Sequence, residues 1–393
     1  MFGERVRELR GSRGITLGEL AARIPVNKGH LSRVERGERP PTDDLARRMD
    51  QVLDARGDLI ALAHLDFAAA RDAVPWQTAD LLRRLRVTDA APATLDALQA
   101  AVVELCCEYG WRDARALRAE GQEWLREVAR LLREPVGLRE HRELLVAGGW
   151  LALLIGCVEY DLGMRAAAEA TRVAASGLGT EAGHPEIIGW AYEMSAWFSL
   201  TQGRYAAVLT STHAGQRAAP RASAAVQLAG QEAKALARLG DVDGVRAALD
   251  RGRESLDALP HPERPDNHFV VDPAKWDFYA MDAYRLAGAD ELAGHHAREV
   301  LQLGAAPDGS ERSPMRMAEA RLTLAAVAAR SGELEEAVST GVEAFRAPRR
   351  SLPSLLMVAG EVDAELHRRY PAEAATGEFR DVLRTVGSQS AVS

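Results

Sequence analysis

The side chains best suited to chemistry lie between Thr16 and Arg39, and their chemistry is recognition of base edges and phosphates, not bond-making. Lys28, His30 and Arg33 share a short segment opened by Asn27, with apolar Leu31 and Val34 on its other side. At helical spacing this leaves Lys28, Gly29, His30 and Arg33 toward the exposed end and outer face of one helix. An ammonium or guanidinium held there can donate to guanine O6 and N7, and Arg33 can do so bidentately. Gly29 permits close approach and reads nothing; His30 can donate or accept, or stay solvated. Ser32, Arg36 and Arg39 suit phosphate contacts, which set register without choosing sequence. Thr16 and Asn27 head two short helices, whose first N–H groups and positive dipole ends suit passing phosphates.

Bond-making motifs are missing from the sequence. It has no glycine-rich phosphate loop, no H-E-x-x-H and no G-x-S-x-G. The expectation is therefore no enzyme, no cofactor and no metal. His295-His296 and His184 lack ligand spacing, because adjacent histidines on a helix point apart. Cys106, Cys107 and Cys157 cannot form a disulfide framework and read as small buried side chains, with a redox pair at Cys106-Cys107 as the sharper alternative. Aromatics cluster twice. Trp190, Met194 and Trp197 lie on one helical stripe flanked by Tyr192 and Phe198; Trp276, Phe278, Tyr279 and Tyr284 form a second group. Inter-repeat core is the ordinary reading. A hydrophobic ligand pocket at Trp190, Met194, Trp197, Trp276 and Tyr279 is the other.

The elements that must hold these residues are all helical. Residues 2–13 form an amphipathic helix with Phe2, Val6 and Leu9 inward. Gly14 ends it, and Thr16 with Glu19 makes a capping box for a helix to Ile24. Asn27 caps a third helix ending at Gly37, Thr42 a fourth through Leu45, Met49 and Val52, and a fifth spans 58–65. Leu20, Val26, Leu31 and Val34 pack the second and third together. The predicted domains are a five-helix bundle at 1–65, a linker at 66–75, a helical-repeat body at 76–386 and a disordered tail at 387–393. In the body, turn glycines Gly163, Gly203, Gly240, Gly288 and Gly332 stand 40, 37, 48 and 44 residues apart, which suits stacked helical hairpins. Alanine-rich faces at 222–225 and 325–329 allow close stacking. The segment 259–276, rich in proline and aspartate, breaks the pattern as a long loop. The fold class is all-α.

Charge divides with the domains. Residues 1–39 hold nine bases against five acids, a net +4, so the remainder carries −12 of the chain's −8. A basic head on an acidic body confines nonspecific attraction to nucleic acid to the head. No run approaches the ~18 apolar residues of a membrane span, and MFGERVRELR is too charged for a secretory leader. A cytoplasmic location follows as the expectation.

The span 14–42 resembles the helix-turn-helix of the phage-repressor-like (XRE) family. The motif positions are Gly14-Ile15-Thr16, Leu20-Ala21, Val26-Asn27, Leu31-Ser32-Arg33-Val34-Glu35 and Gly37. The resemblance implies double-stranded DNA as partner, with the third helix entering the major groove. It also implies a partly buried salt bridge between Arg10 and Glu35. Leu17 departs from the family, which often carries a phosphate-bracing glutamine there; leucine either forfeits that contact or touches a thymine methyl.

Helical bodies behind such heads are similar to the TPR-containing regulators common in actinobacteria. That likeness implies a homodimer on a palindromic operator, with a small-molecule, peptide or protein effector in the repeat groove. Related peptide-binding bodies clamp their ligand with inward asparagines. Only Asn27 and Asn267 occur here, which disfavours a linear peptide. A protein-interaction scaffold and an antitoxin-like repressor are the competing functions.

Overall fold

A computed structural model describes residues 2–24, 26–37, 41–63, 91–134, 136–306 and 309–389. The expected linker at 66–75 lies outside these residues. The chain divides into two compact units, Met1–Ala90 and Ala91–Ser393. The described residues form helices joined by turns and loops, with one isolated antiparallel bridge between Ala305 and Glu311.

In the first unit α1 is Phe2–Ser12, α2 Leu17–Arg23, α3 Lys28–Glu35 and α4 Asp43–Val52; the described part of α5 is 58–63. The caps act locally as the sequence implies. Thr16 and Glu19 form a reciprocal capping box on α2, Asn27 Oδ1 accepts from Gly29 N, and Thr42 Oγ1 accepts from Leu45 N. Behind these ends Phe2, Val6, Leu20, Ile24, Leu31 and Met49 belong to one dry cluster, each at most 1% exposed.

In the second unit α6 is Ala91–Glu108, α7 Ala114–Leu131, α8 Leu138–Asp161, α9 Arg165–Glu181, α10 Pro185–Leu200, α11 Tyr205–Ala218 and α12 Ser223–Leu239. Then follow α13 Val242–Asp257, α14 Pro273–Leu286, α15 Asp290–Gly304, α16 Pro314–Ser331, α17 Leu334–Ala344, α18 Leu352–Arg369 and α19 Ala374–Gln389. Consecutive helices from α8 to α17 pack as antiparallel hairpins, the packing expected of helical repeats.

The five spaced glycines close five of these hairpins for one backbone reason. Gly163, Gly203, Gly240, Gly288 and Gly332 all have φ between 72° and 96°, where a Cβ would be strained. The N–H after each glycine then reaches back five residues, as in Met164 N→Glu159 O (2.8 Å) and Glu333 N→Ala328 O (3.0 Å). This is the Schellman turn that satisfies the last carbonyls of a helix.

Two expectations are corrected. The irregular loop spans 259–272 and not 259–276, because Asp272 caps α14 and Pro273 fits its first turn, where no N–H is needed. The tail does not fray at 387: Gly387, Ser388 and Gln389 continue α19, whose Phe379 and Val386 anchor it to the core. Residues 390–393 lie outside the described set. Among the described residues one helix, Leu138–Asp161, is long and apolar enough to cross a membrane, with a mean hydropathy of 1.5 over 18 residues. It is a core helix here, with 78% of that window buried.

The first helices of successive hairpins line up as α8, α10, α12, α14, α16 and α18, and α18 returns to touch α8. The closure is polar. Arg349 Nη2 meets Asp161 Oδ2 at 2.7 Å, and Trp197 Nε1 donates to Ser354 Oγ at 2.8 Å. Arg238 and Arg285 converge on Asp282 and Glu361, tying α12, α14 and α18 together. The repeats thus curl around a narrow lumen.

Candidate functional site

Helix α3 is held against α1 at very short range. A Cβ on Gly3 would stand 2.4 Å from Glu35 O, so only glycine lets the helices meet there. Arg10 Nη2 reaches Glu35 Oε1 at 2.8 Å and Arg10 Nη1 reaches Ile15 O at 2.9 Å, a partly buried tie between α1, α3 and the start of α2. Arg7, which the sequence reading did not single out, adds contacts to Glu35 Oε1 at 3.3 Å and Glu35 O at 3.2 Å. Its signal was its place one turn before Arg10.

The basic side chains near α1 and those on α3 differ in their partners. On α1, Arg5 pairs with Glu8 and Asp58, and Arg7 and Arg10 with Glu35; just after it, Arg13 donates to the carbonyls of Leu9 and Asp54. On α3, Lys28 and Arg33 are exposed and have no ion-pair or hydrogen-bond partner among the described residues. An exposed cation without an internal acid is free to replace the counterions of a polyanion.

The remaining positions are distributed as follows. His30 and Ser32 are half-buried, and Gly29 is exposed at the first turn of α3. Thr16 and Asn27 are exposed, their side-chain oxygens occupied in capping and the Thr16 N–H donated to Glu19 Oε2, so what these helix starts offer phosphate is the dipole and the N–H groups of the turns that follow. Arg36 is exposed and terminates α3. Leu17 is half-buried and packs on the apolar cluster of the unit. Arg39 lies outside the described residues.

Residues 1–63 match the family model of a helix-turn-helix domain. No curated protein and no solved structure matches the chain. The matched span covers α1 to the described part of α5, so the uncommitted cations of α3 lie within it.

The body holds a second site. Its lumen is a cavity of about 130 Å³, bordered by α10, α12, α14, α16 and α18 and by the loop before α14. That is close to the ~150 Å³ that accommodates a benzene-sized molecule in an apolar cavity. Of the residues named from sequence as a ligand pocket, Trp197 and Tyr279 line it, and so does Phe278 of the second aromatic group. Trp190, Met194 and Trp276 do not: each is at most 3% exposed and packs between helices. A stripe at i, i+4, i+7 spans more than one neighbour, and only its Trp197 end reaches the lumen.

The lumen is charged, which the aromatic reading did not anticipate. Glu193 is buried with its Oε1 accepting from Gln227 Nε2 (2.8 Å) and Gln231 Nε2 (2.7 Å). Lys234 Nζ lies 4.6 Å from the Phe278 ring centre and 3.9 Å from Asp282 Oδ2. Lys275 Nζ donates to the carbonyls of Asn267, His268 and Val270, pinning the loop. Burial pulls its ammonium down to about 7. His268 is held well below its ordinary value, first by burial and then by Lys275, Arg316 and Arg349.

The other residues weighed for metal or redox chemistry have structural partners. His184 caps α10, its Nδ1 accepting from Ile187 N, and His296 pairs with Asp277 while stacking on Tyr284. No cluster of three metal-ligating side chains occurs among the described residues. All three cysteines are buried free thiols; burial raises Cys107 to about 12 and Cys106 and Cys157 likewise upward, away from the reactive thiolate.

Proposed function

We propose that this protein is a sequence-specific, double-stranded-DNA-binding transcriptional regulator of the XRE type, without catalytic activity, working in the cytoplasm. The observation that carries the reading is the pair of uncommitted cations, Lys28 and Arg33, on the exposed face of α3 inside the matched helix-turn-helix span. Arg33, with His30 and Lys28 beside it, reads bases; Ser32, Arg36 and the first turns of α2 and α3 position the backbone. Leu17, packed inward on the apolar cluster, does not replace a phosphate-bracing glutamine.

One such helix reads only a few base pairs, so useful specificity calls for two copies on a palindromic operator, with half-sites about one helical turn apart or a multiple of it. We therefore assign the active form as a homodimer, and the TPR-like body as the half that dimerises and senses. The test is competition gel shift with the protein's own promoter against random duplex, across a salt series. A preference for the promoter, lowered by Arg33→Ala, supports the reading. Equal affinity for both duplexes overturns it.

A further inference from the structure

The lumen contains donors and acceptors that the fold leaves unmatched, and two of them stand a turn apart on α16. Arg316, in the first turn of α16, makes a single side-chain hydrogen bond, Nη2 to Ser313 Oγ at 2.6 Å, and no ion pair among the described residues. The carboxylate acting on it is Asp272, whose Oδ1 is already capping α14. Burial pulls the guanidinium down from its ordinary value, the mark of an enclosed cation short of a counter-charge. Ser313 makes no capping bond with its side chain, so the first turn of α16 also opens uncapped on the lumen. Cation and helix N-terminus therefore coincide.

One turn further along, Glu319 borders the same space. It is 6% exposed, and its carboxyl has no hydrogen bond or ion pair among the described residues. Although Arg316 and Glu319 stand three apart on α16, where such pairs ordinarily join, they remain separate. In the lining of the same lumen, Gln231 Oε1 is buried without a partner and only one oxygen of Glu193 is used. The ring of Tyr279 and the half-buried rings of Trp197 and Phe278 line the wall.

We propose that the lumen binds a small aromatic carboxylate that carries a second hydrogen-bond donor. Its carboxylate would sit on Arg316 and the first turn of α16, its ring on Trp197, Phe278 and Tyr279, and its donor on Glu319, Gln231 and Glu193. Two compound classes offer this chemistry: aromatic α-amino acids, through their ammonium, and hydroxylated aromatic acids, through their hydroxyl. The enclosed part, about 130 Å³, takes a ring, and the lumen is partly open to solvent, so the polar end of such a molecule extends toward its mouth while an extended chain exceeds the space. The assignment rests on reading the body as the sensing half.

The test is isothermal titration of the full-length protein, without DNA, with phenylalanine, tyrosine and 4-hydroxybenzoate, each beside its carboxamide. At least one acid should bind, and its carboxamide roughly 10- to 100-fold more weakly, the loss expected for a charge-assisted contact. Arg316→Gln should reproduce that loss for the acid and leave the carboxamide unaffected. Glu319→Gln separates the sources, weakening an amino acid much more than a hydroxy acid. If none of the three acids binds, or acid and amide bind alike, the assignment is overturned. The acid–amide comparison is made on unaltered protein, so a folding defect in a variant cannot mimic it. Because no DNA is present, failure here leaves the operator-binding reading standing.

Discussion

In the N-terminal unit the guanidinium of Arg33 stands in solvent with no partner among the described residues, whereas in the body those of Arg238 and Arg285 are enclosed around Asp282 and Glu361. The residue type is the same and the surroundings reverse its meaning. Arg238 has its pKa raised, because Asp282 and Glu361 outweigh the burial that would lower it; Asp282 is held far below the ordinary carboxylate range by Arg238, Lys234 and Arg285. Such a cluster contributes to one particular packing of helices. An exposed, unpaired arginine contributes nothing to packing and remains available to a partner.

The sharpest way to break this comparison is Asp282→Ala. Removing the acid leaves two buried guanidiniums with only Glu361, which should cost about 3–5 kcal/mol. Residues 1–63 contain no tryptophan, so unfolding followed by tryptophan fluorescence reports on the rest of the chain. An unchanged melting temperature would show the cluster to be incidental.

Arg33→Ala should do the converse. Stability should stay within ~0.5 kcal/mol, as for a surface position, while operator affinity falls by about 1–3 kcal/mol and random-duplex affinity much less. Arg36→Ala should weaken both duplexes together and flatten the salt dependence. A smaller effect is expected at Asn27→Ala, which removes the acceptor for Gly29 N and should cost about 1 kcal/mol of the head's stability. Heating followed by DNA-binding competence measures it.

The effect of Glu319→Gln is read in its pH dependence. Burial raises the Glu319 carboxyl to about 7, against Lys234, Arg285 and Arg238, which lower it. The folded state therefore holds this proton more tightly than the unfolded chain does. Its stabilising contribution is complete below about pH 4.5, the ordinary value, and is lost as pH rises through 7. Between pH 5 and 7.5 the wild-type melting temperature should fall relative to the glutamine variant. Parallel curves would remove Glu319 from the lumen's chemistry.

The two regions also differ in how far they could be read from sequence. The head was legible because its signals are local: Thr16 with Glu19, Asn27 and Thr42 each set a helix start within three residues. The hairpin turns were legible for the same reason, since a glycine at positive φ marks each one. The lumen was not. Its residues come from five helices about 40 positions apart. Periodicity shows that a side chain faces inward without saying whether it meets a neighbour or a cavity. Trp190 and Trp197 share a stripe and end in different environments, and Arg316 and Glu319 look like an ordinary solvent-facing pair. Nor could the contact of Trp197 with Ser354, 157 residues away, leave any local trace.

That long-range contact changes the mechanics of the body. An open stack of repeats behaves as a spring, each unit sensing only its neighbours and loosening from its ends. Pinning Asp161 to Arg349 across 188 residues makes it a hoop. The last hairpin cannot peel away without releasing the first, so the ends lose their independence and melt together with the middle.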